Sequence, residues 1–428
     1  MTDLAARPAS SSAVRNKVLV GTGLGHALEW YDWGIYAIFV PFFATQFFDR
    51  GDELSAMLSS LAVFAAGFVA RPVGGLLFGW LADRAGRRLT MSLTVGGIAA
   101  GSLVIGIAPT YAAIGAWASL ILLLARVIQG LACGGELPSA QTYLSESAPA
   151  ERRGQWSSLI YIASVFGNTA GVLLGLLLSL TLTSQQMSDF GWRIPFILGG
   201  LLGVVASYMR RTMEESETYT HQRHDQAERP RLWRDIVRYR KQALQVVGLS
   251  VGFTVVYYAW VISAPAYAIS SLGIPSSAAL LASVCASVLF MAVMPLWGRW
   301  SDRVGRKPVL LVSTVGTAVS LFPLQAFVRD SAWQLGLAMA GAMVFIGAGV
   351  SILPAVYAEM FPTRIRTLGL AVPYSVAVAL FGGTAPYLQT WVGEHVGRSV
   401  FTAYVVLMLV VSSVAVITLP ETRAKDLS

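Results

Sequence analysis

Apolar runs of about 20 residues, the length of helix that crosses a hydrocarbon core, recur along nearly the whole chain. Inside hydrocarbon every backbone N–H and C=O must find its partner within the segment, which makes runs of this length helical. The balance of residues agrees. Of 428 residues, 55% are hydrophobic and 13% charged, where a soluble domain carries about a quarter charged. Twelve spans are expected at roughly 18–47, 54–80, 89–108, 112–145, 156–181, 193–210, 243–270, 276–298, 308–328, 333–358, 367–390 and 398–420. The fold class is an all-α, polytopic membrane protein.

A net charge of +8 could suit nucleic acid, but its placement argues for the lipid bilayer as partner instead. Of the 31 Lys and Arg, 25 fall at the termini and in the even-numbered connections, all on one side of the expected membrane. By the positive-inside rule both termini and the 211–242 connection are cytoplasmic. The first apolar run keeps two carboxylates and lacks a small-residue cleavage site, so it reads as a retained span. Cys133 and Cys285 lie in different spans at no ligand-like spacing and read as small packing residues. Neither metal, cofactor nor disulfide framework is implied, and nucleic acid is not expected.

The chain repeats itself. Gly79-Trp-Leu-Ala-Asp83-Arg84-Ala-Gly86-Arg87-Arg88 recurs as Gly298-Arg-Trp-Ser-Asp302-Arg303-Val-Gly305-Arg306-Lys307, each copy following the second span of its half. Glu146-Ser-Ala-Pro149 with Arg153 recurs as Glu359-Met-Phe-Pro362 with Arg366, closing the fourth span of each half. The expected organisation is a tail (1–17), a six-helix bundle (18–210), a mixed-charge linker (211–242), a second, pseudo-symmetric six-helix bundle (243–420) and a tail (421–428).

These motifs, with "EWYDWGIY", "ARPVGGLLFG", "LLLARVIQGLACGGE", "FGWRIPF", "MEESE" and "EMFPTRIRTLG" in order along the chain, resemble the major facilitator superfamily and, within it, the metabolite:H⁺ symporters. That resemblance implies a transporter of the bacterial inner membrane that works as a monomer, in a family whose members carry α-ketoglutarate, citrate, shikimate, proline or betaine. The loop motif has a physical reading of its own. Gly79 and Gly298 let helices approach closely, while Asp83 and Asp302 can accept from helix N-termini or pair with adjacent arginines. With Glu146, Arg153, Glu359 and Arg366 the motif would latch the two halves. The plainer alternative is a topology signal alone.

Ionisable groups in hydrocarbon cost several kcal/mol unless paired or facing water. Those inside the expected spans are His26, Glu29, Asp32, Arg71, Arg126 and Glu136, all in the N-terminal half. At 1.5 Å per residue, Asp32 and Arg126 lie roughly 21 Å into their spans and Arg71 about 18 Å from the cytoplasmic side. Opposite charges at one depth should pair. Asp32 is the candidate proton carrier with Arg126 as its partner, as in superfamily symporters similar to this chain, and Glu29 and Glu136 are candidate relay groups. Arg71 and Arg126 suit a carboxylate substrate. Gln129, Tyr161 and Asn168, and across the chain Tyr257, Tyr258 and Tyr374, could add neutral hydrogen bonds. Against this stand plain ion pairs tying spans 1, 2 and 4 together, packing tyrosines and a structural His26. Gly167, Gly171 and Gly175 form a packing face.

Two features depart from the family pattern. Leu137-Pro138-Ser139 follows "GGE" where relatives often carry small residues, and the tail after Pro420 is short, unlike that of osmosensing proline/betaine carriers. A proton-driven drug exporter would usually carry Gly-Pro in span 5, which holds no proline. An enzyme would need a catalytic constellation, and no Ser-His-Asp set, phosphate loop or metal spacing is present. The expectation is proton-coupled uptake of a small anion, a di- or tricarboxylate such as α-ketoglutarate or citrate.

Overall fold

The computed structural model describes residues 12–49, 51–85, 87–134, 141, 144–145, 148–211, 238–362 and 365–423; of 12–22, 24, 79, 82–85, 87–88, 91, 209–211 and 367–368 it describes the backbone alone. The regular structure of these residues is helical. Twelve rods follow one another: α1 Ser12–Phe47, α2 Glu53–Ala85, α3 Arg87–Ile107, α4 Ala116–Cys133, α5 Arg153–Thr181, α6 Arg193–Arg211, α7 Arg240–Tyr257, α8 Ser276–Val304, α9 Arg306–Phe327, α10 Ala332–Val350, α11 Arg366–Ala377 and α12 Arg398–Thr418. Three of them continue past an interruption. α7 runs through a π-helical turn, Tyr258–Ile262, into Ala264–Ser271, and α11 through Val378–Gly382 into Ala385–His395. α10 breaks at Ser351 and resumes as Leu353–Met360.

Among the described residues ten helices are long and apolar enough to cross a membrane. Of the other two rods, α1 carries His26, Glu29 and Asp32 in its middle, and the described apolar stretch of α3 runs over Ser92–Ile107. The fourth span was expected to begin at 112. Gly115 instead adopts φ 60°, a backbone conformation that costs other residues a clash, and splits off Tyr111–Ile114 so that α4 starts at Ala116.

Within the first half α1 packs on α5, α2 on α4 and α3 on α6; within the second, α8 packs on α10, α7 on α12 and α9 on both α10 and α12. The α1–α5 seam is the glycine face expected from the sequence. A Cβ on Gly167 would strike the Ala27 backbone, and one on Gly171 would come 2.8 Å from Ile35. Small residues here bring two helices close enough for dispersion and backbone contacts to hold them, which matters where lipid supplies no hydrophobic drive. Cys133 is buried as expected, but Cys285 lies exposed on α8, so packing does not explain it.

The halves meet along α5–α8, where the second copy of the loop motif bridges them. Gly154 and Gly298 touch backbone to backbone; a Cβ on either would lie 2.8 Å or less from the other's carbonyl oxygen. The Asp302 carboxylate accepts from the N–H groups of Gly154 (2.8 Å) and Gln155 (2.9 Å), capping α5 across the seam, and from Arg306 Nη1 at 2.7 Å. Glu359, fully buried, accepts from Arg153 Nη1 (3.1 Å) of the other half, from Arg306 Nη2 (3.1 Å) and from Thr422 (2.6 Å). Arg366 serves its own half, donating to the Ala358 and Phe361 carbonyls at the end of α10. Arg303 is exposed.

Gly305, at φ 110°, turns the chain between α8 and α9 and leaves room for Glu421, which accepts from the N–H groups of Arg306 and Lys307 at the start of α9. Burial alone would raise the Glu421 carboxyl. Four backbone N–H groups, those of Arg306, Lys307, Arg423 and Thr422, outweigh it and hold the carboxyl below the usual range. Its capping contribution is therefore complete above the ordinary carboxylate pKa and fades as pH falls through the lowered value.

Gly79, Asp83, Arg84, Arg87 and Arg88 of the first motif copy have undescribed side chains, and Gly86, Glu146 and the Leu137-Pro138-Ser139 stretch lie outside the described residues. The cap across the seam yields a direct expectation. Asp302→Ala removes an interaction of about 1–2 kcal/mol, which shifts the closed-to-open ratio at this end by about 5- to 30-fold. Spin-label distances between α5 and α8 should then gain a longer population, while an unchanged distribution would deny Asp302 a latch role.

Candidate functional site

Two carboxylate–arginine couples sit side by side in the middle of the first half. Asp32 on α1 lies 3.8 Å from Arg126 on α4, and Glu29, one turn away on α1, lies 3.9 Å from Arg71 on α2. Asp32, Glu29 and Arg126 are buried, and Arg71 nearly so. Neither contact is short enough to be a hydrogen bond, and each couple is held by neutral groups. Asp32 accepts from Ser102 on α3 and from Gln129 Nε2 at 2.8 Å, while Gln129 Oε1 accepts from Arg126 Nη1 at 2.9 Å. Gln129, a candidate substrate ligand in the sequence, spends both ends of its amide on the Asp32 couple.

His26 belongs to the same cluster. Trp30 Nε1, which can only donate, points at His26 Nε2 at 3.1 Å, and the Ser164 hydroxyl approaches the same nitrogen at 2.8 Å. A neutral imidazole so held carries its proton on Nδ1, which faces Glu29 Oε2 at 3.6 Å. The histidine is therefore buried inside the ionic group, and not at the interface.

Trp33 joins the couples. The guanidinium carbon of Arg71 lies 4.1 Å from the centroid of its ring and that of Arg126 lies 4.0 Å from it. Phe68 adds a second face to Arg71 at 4.3 Å and Tyr36 one to Arg126 at 4.3 Å. Each desolvated cation–π contact is worth about 2 kcal/mol. The rings give both cations attraction on sides where no carboxylate stands. The Trp33 N–H is itself engaged, donating to Cys133 Sγ at 3.0 Å.

Above this cluster, tyrosines of the second half close the seam. Tyr257 and Tyr258, at the entrance to the α7 π-helical turn, stack around Trp30 at ring separations of 5.6 and 6.3 Å, and Phe68 meets Tyr258 at 5.3 Å. Tyr161 on α5 reaches Tyr257 at 6.2 Å, and Tyr374 on α11 lies against Tyr357. The hydroxyls of Tyr257 and Tyr258, both amide atoms of Asn168, Arg71 Nε and Glu29 Oε2 are buried without a hydrogen-bond partner among the described residues. Unpaired buried polar atoms cost about 1–3 kcal/mol each, which makes these six atoms candidates for contacts with a ligand. The site residues expected from the sequence thus converge, except that Glu136 lies outside the described residues. Trp33, Ser102 and Ser164 were not anticipated.

Comparison with known proteins agrees with this architecture. Residues 22–294 match the Major Facilitator Superfamily and residues 220–428 the Sugar (and other) transporter family. The chain is 34% identical to the alpha-ketoglutarate permease of Escherichia coli (strain K12), covering 94% of both sequences. It is 31% identical to the proline/betaine transporter of the same strain, over 96% of this chain and 84% of that one, and 32% identical to a putative proline/betaine transporter of Staphylococcus aureus (strain COL), over 94% and 87%. A partially occluded, inward-open structure of the E. coli xylose transporter superposes with a TM-score of 0.76 at 20% identity, covering 97% of this chain and all of that one. The chain belongs to the Major Facilitator Superfamily. It is a multi-pass membrane transporter, and not an enzyme.

The stacking predicts a graded response at Trp33. Trp33→Ala should lower stability by about 3–5 kcal/mol, and Trp33→Phe by less than half of that because one ring remains for both guanidinium groups. Thermal unfolding in detergent reads the difference. Equal losses in the two variants would mean that a phenyl ring at this position restores neither packing nor stacking.

Proposed function

We propose that this transporter takes up a small carboxylate anion together with protons by alternating access. The observation that carries the proposal is the balance of the buried cluster. Among the described residues Glu29 and Asp32 match Arg71 and Arg126 in number, so with His26 neutral these groups together carry no net charge. An anion entering a balanced site of low dielectric meets no net attraction and strands a charge. Protonation of Asp32 or Glu29 removes that obstacle by freeing the facing guanidinium, and Arg is the cation best shaped to bind a carboxylate through two hydrogen bonds. Two such couples suit a dicarboxylate such as α-ketoglutarate. The similarity to an alpha-ketoglutarate permease supports the same reading.

In this scheme Arg71, with its unpartnered Nε, meets the substrate first, and Arg126 lies beneath as the partner of the proton carrier Asp32. The unpartnered hydroxyls of Tyr257 and Tyr258 and the amide of Asn168 supply neutral contacts. The latch of Asp302, Arg306, Arg153 and Glu359 closes the cytoplasmic end, both termini lie in the cytoplasm, the membrane is a bacterial inner membrane, and the working unit is a monomer. Citrate, with a third carboxylate, would leave one charge unmatched.

A second reading rests on a different observation. Trp30, Tyr161, Tyr257 and Tyr258 form an aromatic wall beside Arg71, and aromatic walls hold quaternary ammonium groups. With Arg71 for its carboxylate, a betaine would fit that arrangement, and two of the similar proteins are named for proline and betaine.

Uptake into proteoliposomes under an imposed pH gradient separates the readings, using labelled α-ketoglutarate, citrate, shikimate, proline and glycine betaine with and without a protonophore. The expected result is protonophore-sensitive accumulation of α-ketoglutarate that Asp32→Asn abolishes while exchange of substrate across the membrane persists. Accumulation of betaine alone would transfer the assignment to the aromatic wall, and pH-driven accumulation surviving in Asp32→Asn would remove Asp32 as proton carrier.

A further inference from the structure

Trp30 lies between the charge cluster and the second half. Its ring rests against Tyr257 and Tyr258 at 5.6 and 6.3 Å, and its N–H has one acceptor among the described residues, His26 Nε2 at 3.1 Å. An indole N–H can only donate, so this contact exists only while Nε2 keeps a lone pair. The same nitrogen has a second neighbour of a different kind. The Ser164 hydroxyl on α5, 2.8 Å away, can give its proton to Nε2 or accept one from it, because the Ile160 carbonyl lies 3.0 Å from that hydroxyl as an alternative acceptor. His26 therefore has two hydrogen-bond arrangements at one nitrogen. Unprotonated, Nε2 holds Trp30. Protonated, Nε2 donates to Ser164, which turns its own proton to Ile160, and the Trp30 N–H is left facing another N–H.

We propose that His26 is a positioning residue that ties protonation of the buried cluster to the seam between the halves: its neutral ring holds Trp30 against Tyr257 and Tyr258, and its imidazolium lets Trp30 go. In this step a proton from solvent bonds to the Nε2 lone pair, the hydrogen bond from Trp30 breaks, and one from Nε2 to Ser164 forms. The resulting charge has a partner in place, since Glu29 Oε2 faces Nδ1 at 3.6 Å. Behind Glu29, Arg71 on α2 lies 3.9 Å from Oε1. The α4 face contributes Arg126, beside Asp32, and the Cys133 thiol next to Glu29. The α5 face contributes Tyr161, and α7 contributes Tyr257 and Tyr258. Glu29 is thus the anion that reaches the ring among the described residues. On the reading that the cluster receives an anion, one proton at His26 gives the described groups a net positive charge and frees the aromatic seam above them.

Nitrogen NMR of isotope-labelled imidazole and indole groups in the full chain in detergent, without added solute, tests the switch. The chain has four histidines, so His221→Asn, His224→Asn and His395→Asn together leave His26 as the single imidazole, and the Trp30 indole resonance is the one missing in Trp30→Phe. The expected result at high pH is a neutral ring with its proton on Nδ1. On acidification the ring should become imidazolium, and the Trp30 N–H resonance should move in the same reversible transition. Trp30→Phe keeps an aromatic ring at the seam but has no N–H to oppose the proton, so His26 should bind its proton about two- to tenfold more tightly there. In His26→Gln, whose amide oxygen can hold the indole N–H at any pH, the Trp30 resonance should stay fixed. A Trp30 resonance that does not follow His26 protonation overturns the proposal. So does a ring that carries its proton on Nε2 at high pH, or one that stays neutral wherever the protein is folded. Equal proton affinity in wild type and Trp30→Phe also overturns it, because a merely structural histidine would not sense the loss of the indole N–H. No transported solute takes part in this titration, so its outcome is independent of whether the central cluster binds a carboxylate.

Discussion

Four ionised side chains buried in the interior of one helical half are the constraint to which the surrounding structure answers. A lone carboxylate or guanidinium there would cost several kcal/mol, and the fold distributes that cost over many small contacts. Ser102 and Gln129 bind Asp32, His26 faces Glu29, and Trp33, Phe68 and Tyr36 cover the guanidinium groups. These partners come from α1, α2, α3 and α4, so the positions of four of the six helices in the first half are tied to the cluster. The contacts are also long enough, at 3.8 and 3.9 Å, that each couple can separate without breaking a strong hydrogen bond. A site meant only to hold helices together would gain from shorter ones.

The second half carries a different kind of charge network. Asp302, Arg306, Glu359 and Arg153 lie at the end of the α5–α8 seam and join two halves that otherwise meet through small residues and aromatic rings. Gly154 against Gly298 makes the approach possible, and the Asp302 cap exploits it. Closure at this end and the aromatic seam over Trp30 share the same helices, since α5 carries Tyr161 and Gly154 alike.

Much of this was legible in the sequence because ionisable residues are rare in apolar runs and because helical rise converts position into depth. Depth alone said that the acids of α1 should meet Arg71 and Arg126, the family resemblance assigned Arg126 to Asp32, and the repeated motif pointed to Asp302 as an acceptor for a helix terminus. Other parts left no such trace. Trp33 is one of twelve tryptophans, and nothing in its spacing says that two arginines from different helices will meet its ring. Ser102 is a single small polar residue in a run of Ala, Gly and Val, distinguishable only once α3 lies beside α1. Gln129 was legible as polar but not as a bridge, since its two ends depend on three helices meeting. Glu421 caps α9 from more than a hundred residues away, a relation that periodicity cannot carry.

The π-helical turns inside α7 (Tyr258–Ile262) and α11 (Val378–Gly382) have a consequence for helical phase. Such a turn acts as one residue inserted into an α-helix, and one residue is a rotation of about 100° at 3.6 residues per turn. The outer segments Ala264–Ser271 and Ala385–His395 are therefore turned by about a quarter circle relative to the inner ones. Tyr257 and Tyr258 can face the seam while Tyr267 and Gln389, farther along the same rods, face the interior of their own half. In each rod one surplus residue lets a single helix serve two surfaces that an uninterrupted heptad would keep in line.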